Sequence, residues 1–453
     1  MDYVGKKVLV LGAARSGVAA AKLLHASGAQ VIVNDAASQD KLKWDISALQ
    51  ENNIPLIAGG HPLSLLDEKF DLLIKSPGIP PHIPFLQAVR ERGIPIISEI
   101  ELAYHFNKGH MITLTGSNGK TTSTTWLGDM MQRDRPKVIL AGNNDIPLST
   151  ETLSSDEDTW LVVELSSFQL NDIRDFHSEA AAIINISPAH LDWHGDFAGY
   201  YQAKSNLLLN QKATDTAVLN ADNQYTLELA KSAKGRVLLF SRQREVEQGA
   251  FLRGETIWVR MNGAEFPLIE RREMKLGYVH NVENAMAASL MALAVGVKLE
   301  HIRGALREFT GLAHRFQVVA KIADRTFIND SKATNPGASE VALTLPGEPI
   351  VLIAGGMERH IELTAFAQQI TKYCRSVVLI GETKERLAAD LRSFGFTAIH
   401  IVDTMAQAVP LAYALSEAGD TILLSTGCAS WDMYANYDYR GDDFIALVQK
   451  LQE

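Results

Sequence analysis

Residues 111–122, MITLTGSNGKTT, place a lysine and two threonine hydroxyls directly after a loop bearing two glycines. Side chains in that order suit phosphate chemistry. Residues 111–115 read as a short buried strand, Gly116-Ser117-Asn118-Gly119 as a turn, and Lys120-Thr121-Thr122 as the opening of a helix. Backbone N–H groups at a helix N-terminus point outward, the helix dipole favours negative charge, and Lys120 adds a full positive charge. A hydroxyl directly after the lysine suits a Mg²⁺ ligand beside bound phosphates. The strict phosphate-loop template has four residues between its glycines; this loop has two, a shortened variant.

Other groups could complete such a site. Residues 161–164, LVVE, read as a strand ending on Glu164, and residues 181–186 as a strand leading to His190. A carboxylate and an imidazole at the ends of neighbouring strands would offer oxygen and nitrogen to a divalent cation; a plain loop histidine is the simpler reading of His190. Residues 200–204 read as the start of a helix with Lys204 near its first turn, by default a surface lysine. Asn281 and Asn284, three apart, share a helical face. Two amides there could read a base edge or cap a helix.

Elements must position these groups. Residues 7–12, KVLVLG, a helical stretch ending at Gly28, and residues 30–34 with Asp35 at their end form a βαβ unit. A dinucleotide fingerprint needs Gly-x-Gly-x-x-Gly; Gly12 and Gly17 are present, but Ala14 holds the middle place. Asp35 sits where an acid would meet a ribose hydroxyl. Nicotinamide binding is therefore weakly supported, and a nucleotide site of some kind remains open. Ser76-Pro77-Gly78 follows a strand at residues 71–74, at the edge where open α/β sheets bind ligands. Residues 249–269 alternate apolar and polar around Asn262-Gly263, a β-hairpin marking a small antiparallel sheet. Further on, strands at 326–329, 350–354, 376–380 and 421–424 alternate with helical patterns, as in a doubly wound parallel sheet. The polar loops after three of them should share one edge.

Composition sets the class. The chain has 453 residues, about three domains by length, with 46% hydrophobic and 21% charged residues. A net charge of −10 argues against nucleic acid as the main partner. Cys374 and Cys428 lie far apart, which is neither a disulfide framework nor a zinc spacing and fits a reducing cytoplasm. No apolar run reaches membrane length, and the N-terminus has no secretory pattern.

The motifs together resemble the Mur ligase family, and within it the branch that adds D-glutamate. The carriers are the stretches 116–122, 164–170, 185–193, 280–284, 314–316, 329–336 and 429–432, in family order along nearly the whole chain. Asp330-Ser331-Lys332-Ala333-Thr334-Asn335 and Ser430-Trp431-Asp432 point to that branch over its sisters. The resemblance implies an α/β protein of three domains: a Rossmann-like UDP-substrate domain over 1–98, a central phosphate-loop ATPase domain over 99–311, and a C-terminal doubly wound amino-acid domain over 312–453. It implies that ATP activates the carboxylate of UDP-N-acetylmuramoyl-L-alanine as an acyl phosphate, which the amine of D-glutamate attacks.

Roles follow by matching positions. Gly116, Ser117, Asn118, Gly119, Lys120, Thr121 and Thr122 would hold ATP phosphates. Thr121 and Glu164 would hold a first Mg²⁺ and His190 a second. Lys204 matches a lysine that is carbamylated, which puts an anion beside two cations. Asn281 and Asn284 would contact adenine; Arg315 and Asp330 would contact ATP from the third domain. Lys332, Thr334, Arg359, Ser430 and Tyr437 would surround D-glutamate. Arg15, Ser16, Asp35, Ser76 and Gly78 match uridine-diphosphate contacts, Asn143 a sugar contact, and Ser166 lies in the substrate-binding set. A cytoplasmic monomer is expected, with no membrane or nucleic-acid partner. The chain departs from the family at Ser117 (usually threonine), Asn144-Asp145 (usually Ile-Gly), Ala189 (usually aspartate), Gly337 (usually acidic), Met357-Glu358-Arg359-His360 (usually a glycine-bearing loop) and Thr426-Gly427 (usually Pro-Ala). A sister ligase with another amino-acid specificity and a nucleotide-binding homologue without catalysis both stay open.

Overall fold

The computed structural model describes residues 2–42, 45–144, 146–277, 279–344 and 349–452; Asp145 of the substrate loop and the side chain of His280 fall outside them. Three sheets organise the chain. The first contains β1 (Lys7–Leu11), β2 (Gln30–Asp35), β3 (Leu56–Ala58), β4 (Leu72–Lys75) and β5 (Ile96–Ser98). All pairs are parallel in the order β3-β2-β1-β4-β5. Such strands are near-continuous Val, Ile and Leu because both faces are covered, and separate apolar clusters indeed lie on the two faces. The chain reverses its winding between β1 and β4, which opens a crevice at their carboxyl ends.

The second sheet contains β6 (His110–Thr115), β7 (Val138–Gly142), β8 (Trp160–Glu164), β9 (Ala180–Ile183), β10 (Thr216–Asn220), β11 (Arg236–Ser241), β12 (Gly249–Arg253), β13 (Thr256–Met261) and β14 (Ala264–Glu270). Its order is β14-β13-β12-β11-β10-β9-β6-β8-β7. The antiparallel strands are therefore an extension of this sheet, where the alternating pattern suggested a separate small one. β12 pairs parallel with β11 and antiparallel with β13, so the meander covers an edge that β11 would otherwise expose. Periodicity marks a strand but does not name its neighbour.

The third sheet contains β15 (Gln317–Ile322), β16 (Arg325–Asn329), β17 (Ile350–Ala354), β18 (Cys374–Leu379), β19 (Ile399–Ile401) and β20 (Thr421–Leu424), in the order β15-β16-β20-β17-β18-β19. β16, β20 and β17 are adjacent and parallel, so the polar loops that follow them share one edge, as the alternation implied.

The first two sheets lie in one compact unit, residues 1–309, and the third in another, residues 310–453. Buried polar side chains tie the first two together. The Glu101 carboxylate accepts the backbone N–H groups of Arg174, Asp175 and Phe176 at 2.8, 2.7 and 3.0 Å. Lys75, fully buried at the end of β4, pairs with Asp172 at 3.1 Å and lies over the Trp193 ring. Among the described residues no helix is long and apolar enough to cross a membrane.

Candidate active site

In the first unit the carboxyl ends of β6, β8 and β9 carry the chemistry. β6 stops at Thr115, the loop turns, and a helix runs Lys120–Gln132. Gly119 has φ +80°, and a Cβ there would sit 2.2 Å from Asn284 Oδ1, so only glycine fits. Asn185 clamps the loop: its Oδ1 accepts Asn118 N–H at 2.9 Å and its Nδ2 donates to Asn118 O at 3.3 Å. Ser117 Oγ accepts Ser187 N–H at 2.9 Å and lies 2.8 Å from Tyr200 Oη, so its hydroxyl ties the loop to its surroundings. Lys120 Nζ donates to Gly116 O at 2.9 Å and Ser117 O at 3.1 Å, folded over the mouth of the loop.

Glu164 ends β8 fully buried. Its Oε1 accepts Asn143 Nδ2–H at 2.8 Å, while Oε2 has no hydrogen-bond partner among the described residues. A buried carboxylate oxygen left unpaired is costly. Such an oxygen suits a hard divalent cation, and Thr121 stands on the first turn of the loop helix. His190 has φ +54° and an exposed ring packed 4.9 Å from Phe168. Burial, then the charges of Lys120 and Lys204, hold its pKa below the ordinary histidine value. It therefore presents a neutral nitrogen, the form that binds metal.

Lys204 departs from the surface lysine the sequence suggested. Its helix begins earlier, at Phe197, capped by Asp196, so Lys204 falls in the last turn and points inward. Only 1% of it is exposed, and Nζ donates to Gly116 O at 2.7 Å and Thr115 Oγ1 at 3.2 Å. Burial and the Lys120 charge push its pKa far below the usual lysine range, and Glu164 pulls it partly back. The missed signal was Asp196, an N-cap that resets the helix start. Asn281 and Asn284 are buried and bonded to each other at 3.2 Å, and Asn284 Oδ1 accepts Ser123 Oγ–H at 3.3 Å. These amides therefore meet the loop helix and do not cap their own. Ser166 caps the short helix Ser167–Leu170 through a capping box with Gln169.

Arg15 and Ser16 open the helix Arg15–Ala26 after β1. With Ala14, Pro77, Gly142, Asn143, Pro147 and Gln169 they line a cleft of about 210 Å³. The structure thus brings together Arg15, Ser16 and Asn143 beside the 76–78 turn. Gly17 is required here, since a Cβ would lie 1.8 Å from Gly12 O. Ser76 lies buried under the same turn, its Oγ 3.4 Å from Gly12 O. Asp35 Oδ2 closes the turn by accepting Ala13 N–H at 2.7 Å, and its Oδ1 accepts Ala37 N–H at 2.8 Å in its own loop after β2.

In the second unit the 330–335 and 425–430 loops are joined by Arg440, a residue sequence reasoning missed. Buried on the helix Tyr437–Lys450, it donates to Ser331 Oγ and O at 2.9 and 2.7 Å and to Cys428 O at 3.1 Å. Nothing in a lone helical arginine announces burial. Lys332 Nζ lies 4.9 Å over the Tyr437 ring, so two expected D-glutamate residues meet. Ser430 is 2% exposed and its Oγ has no hydrogen-bond partner among the described residues. Thr334 is half-buried and Arg359 is exposed; Glu358 beside Arg359 is held by Arg386 at 2.8 and 2.9 Å. Thr426, where proline is usual, bridges the loops by donating to Ala333 O at 3.3 Å and Cys428 O at 3.1 Å.

Asp330 accepts Ser425 Oγ–H at 2.8 Å and Phe316 N–H at 3.1 Å, near Arg315. Burial raises its pKa to about 7 against these opposing contacts. An acid raised in the folded state binds its proton more tightly there than when unfolded. Its penalty is absent below the unfolded value, about 3.9, grows as pH rises towards about 7, and levels off above it. Asp330→Asn should therefore stabilise β16 and β20 at pH 8 by about 1–3 kcal/mol and scarcely at pH 4. Hydrogen exchange of those amides, corrected for intrinsic rates, reads this directly; an equal effect at both pH values would contradict it.

Comparison with known proteins places these features. Residues 6–98 match the Mur ligase MurD-like N-terminal domain, residues 114–292 the Mur ligase middle domain, and residues 314–428 the Mur ligase glutamate ligase domain. The chain is 43% identical over 456 residues to a UDP-N-acetylmuramoylalanine–D-glutamate ligase of Geobacillus kaustophilus (strain HTA426), covering 99% of each. A protein of that name from Alkaliphilus metalliredigens (strain QYMF) is 38% identical over 454 residues, covering 100% of each. Among solved structures, MurF from Acinetobacter baumannii superposes with a TM-score of 0.60 at 18% identity, over 98% of this chain and 94% of that one. A UDP-N-acetylmuramate-alanine ligase MurC from Thermotoga maritima gives 0.55 at 19%, over 98% and 99%. At those identities the structures speak for the fold alone.

Proposed function

The chain belongs to the Mur ligase family, and we propose that it joins D-glutamate to UDP-N-acetylmuramoyl-L-alanine with ATP, a step of peptidoglycan precursor synthesis. Relatives bearing that activity in their names match over the whole chain. The observation that carries the chemistry is the pairing of a phosphate loop with a buried carboxylate oxygen, Glu164 Oε2, that has no hydrogen-bond partner among the described residues.

A carboxylate and an amine do not condense in water without activation. The substrate carboxylate attacks the γ-phosphorus of ATP, ADP leaves, and an acyl phosphate forms. The D-glutamate nitrogen, once deprotonated, attacks the acyl carbon; inorganic phosphate departs and the amide remains. The loop N–H groups and Lys120 hold the β- and γ-phosphates and meet charge as it shifts. Bound Mg²⁺, held by Thr121 and Glu164 and at a second place by His190, would neutralise phosphate charge during transfer. Lys204 can take up CO₂: its neutral amine forms an N–C bond and releases a proton, leaving a carbamate. That anion suits a buried place beside Lys120 and bound cations. In the spans 1–98, 99–311 and 312–453 we assign UDP-substrate, ATP and amino-acid roles respectively. Arg15, Ser16, Asp35, Ser76, Gly78 and Asn143 serve the first substrate, with Ser166 close to its reacting end. Asn281 and Asn284 serve adenine, and Arg315 and Asp330 serve ATP from the third span. Lys332, Thr334, Arg359, Ser430 and Tyr437 hold D-glutamate.

Ser430→Ala tests the amino-acid assignment. Its hydroxyl has no hydrogen-bond partner among the described residues to lose, so thermal stability should not fall, whereas KM for D-glutamate should rise about tenfold, the value of one good hydrogen bond. Steady-state kinetics with ATP and sugar substrate saturating is the measurement. An unchanged KM would move D-glutamate elsewhere.

A further inference from the structure

Lys75 is the last residue of β4 and stands directly before the 76–78 turn, yet the reaction above gives it no task. It is fully buried. An ammonium has three N–H donors and no acceptor, and Nζ is met from three sides. It donates to Ile79 O at 3.0 Å, so the side chain spans the turn from one end to the other. It pairs with Asp172 Oδ2 at 3.1 Å, and it lies 4.9 Å from the centre of the Trp193 ring, whose face attracts a cation. These partners belong to three different segments. Ile79 ends the turn assigned to the UDP substrate. Asp172 lies two residues beyond the helix Ser167–Leu170 that Ser166 caps. Trp193 lies on the helix Leu191–His194, whose N-cap is His190.

Ring contacts carry the connection further. Trp193 packs on Phe168 with centroids 4.8 Å apart, and Phe168 packs on His190 at 4.9 Å. The route from the turn to His190 is therefore one ammonium and two aromatic rings, all within one compact unit. Stability alone does not call for a charge at this place, because apolar side chains of similar volume often replace a buried ion pair without loss. The turn also closes without it: Ile79 N–H donates to Ser76 O at 3.1 Å and Ser76 N–H to Leu11 O at 2.9 Å. What Lys75 adds is attachment. We infer that Lys75 is a positioning residue that fixes the seat of the UDP group relative to His190, so that binding of the remote nucleotide places the reacting carboxylate. Binding energy from a non-reacting part of a substrate raises kcat only when it reaches the reacting centre as orientation. The inference rests on the proposed roles of the 76–78 turn and of His190.

The split between kcat and KM tests it. A lysine acting on the turn alone would, when removed, raise KM for the sugar nucleotide and spare kcat; a positioning lysine does the reverse. Lys75→Met combined with Asp172→Asn keeps the volume and leaves no buried charge unpaired. With ATP and D-glutamate saturating, this double variant should lose about tenfold or more in kcat. Its KM for UDP-N-acetylmuramoyl-L-alanine and its calorimetric Kd for UDP should stay within about twofold of wild type, with the melting temperature kept. Trp193→Leu leaves the Lys75–Asp172 pair and the turn in place; it should show the same split, and it decides the matter if the double variant does not fold. Combining all three substitutions should lower kcat no further than the larger of the two losses, because the two act in series. A kcat close to wild type in the folded double variant or in Trp193→Leu, or losses that multiply in the combined protein, overturns the positioning role. A raised KM and UDP Kd with kcat kept makes Lys75 part of the UDP seat alone and overturns it as well. Wild-type protein that turns over no sugar nucleotide overturns the proposed function, and this inference with it.

Discussion

Lys120→Ala should lower kcat by about 10³-fold or more while the protein stays folded. Charge-stabilising groups at transferring phosphoryl centres are worth on the order of 10³–10⁵ in rate, about 4–7 kcal/mol. Lys204, the other ammonium close to the loop, is buried and held by Gly116 O and Thr115 Oγ1 from beneath. Among the described residues of the first unit, Lys120 closes over the mouth of the loop, on Gly116 O and Ser117 O. These bonds to loop carbonyls lie at a half-buried surface, so the fold should lose little when they go. Single-turnover phosphate release and a thermal melt are the measurements. A variant retaining a tenth of wild-type rate would remove the phosphate-loop assignment.

Lys204→Ala should be nearly inactive and partly restored by added short carboxylates such as acetate or formate. Truncation removes the chain that would bear the carbamate and leaves a buried space lined by Thr115, Gly116 and Tyr200. A small anion entering it can stand in for the carbamate. Lys204→Arg should remain inactive with or without added carboxylate, because a guanidinium stays cationic and cannot become that anion. Wild-type activity should also fall when bicarbonate is exhaustively removed and return on its addition. Full activity of Lys204→Arg would show that the position needs a cation, against the carbamate role.

Much of this arrangement was legible in the residues. The phosphate loop announced itself because strand, glycine turn and helix start are local events, each written within a few neighbouring positions. Glu164 was legible for the same reason: it ends an apolar run. What the residues did not show were relations between distant segments. Lys204 looked like a surface lysine because its helix was read as starting at Tyr200; the Asp196 cap moves it into the last turn, facing the loop. The strands around Asn262-Gly263 looked like a separate sheet, since alternation cannot reveal that β11 lends its edge to β12. Arg440 and Lys75 were invisible as organisers, because a buried hydrogen-bonding side chain reads like any polar residue until its partners are placed. Asp35, expected to meet ribose, also spends one oxygen on closing the turn after β1 and the other on Ala37 N–H in its own loop.

The most direct test of the central claim is phosphate release from ATP by the full chain with UDP-N-acetylmuramoyl-L-alanine and Mg²⁺, supplied in turn with D-glutamate, L-glutamate and a panel of other amino acids, with the nucleotide-sugar product weighed by mass spectrometry. The proposed function predicts release that depends on D-glutamate and a product heavier by one glutamyl residue. Release stimulated best by another amino acid would make the chain a ligase of different specificity. ATP binding with no release under any acceptor would contradict catalysis itself.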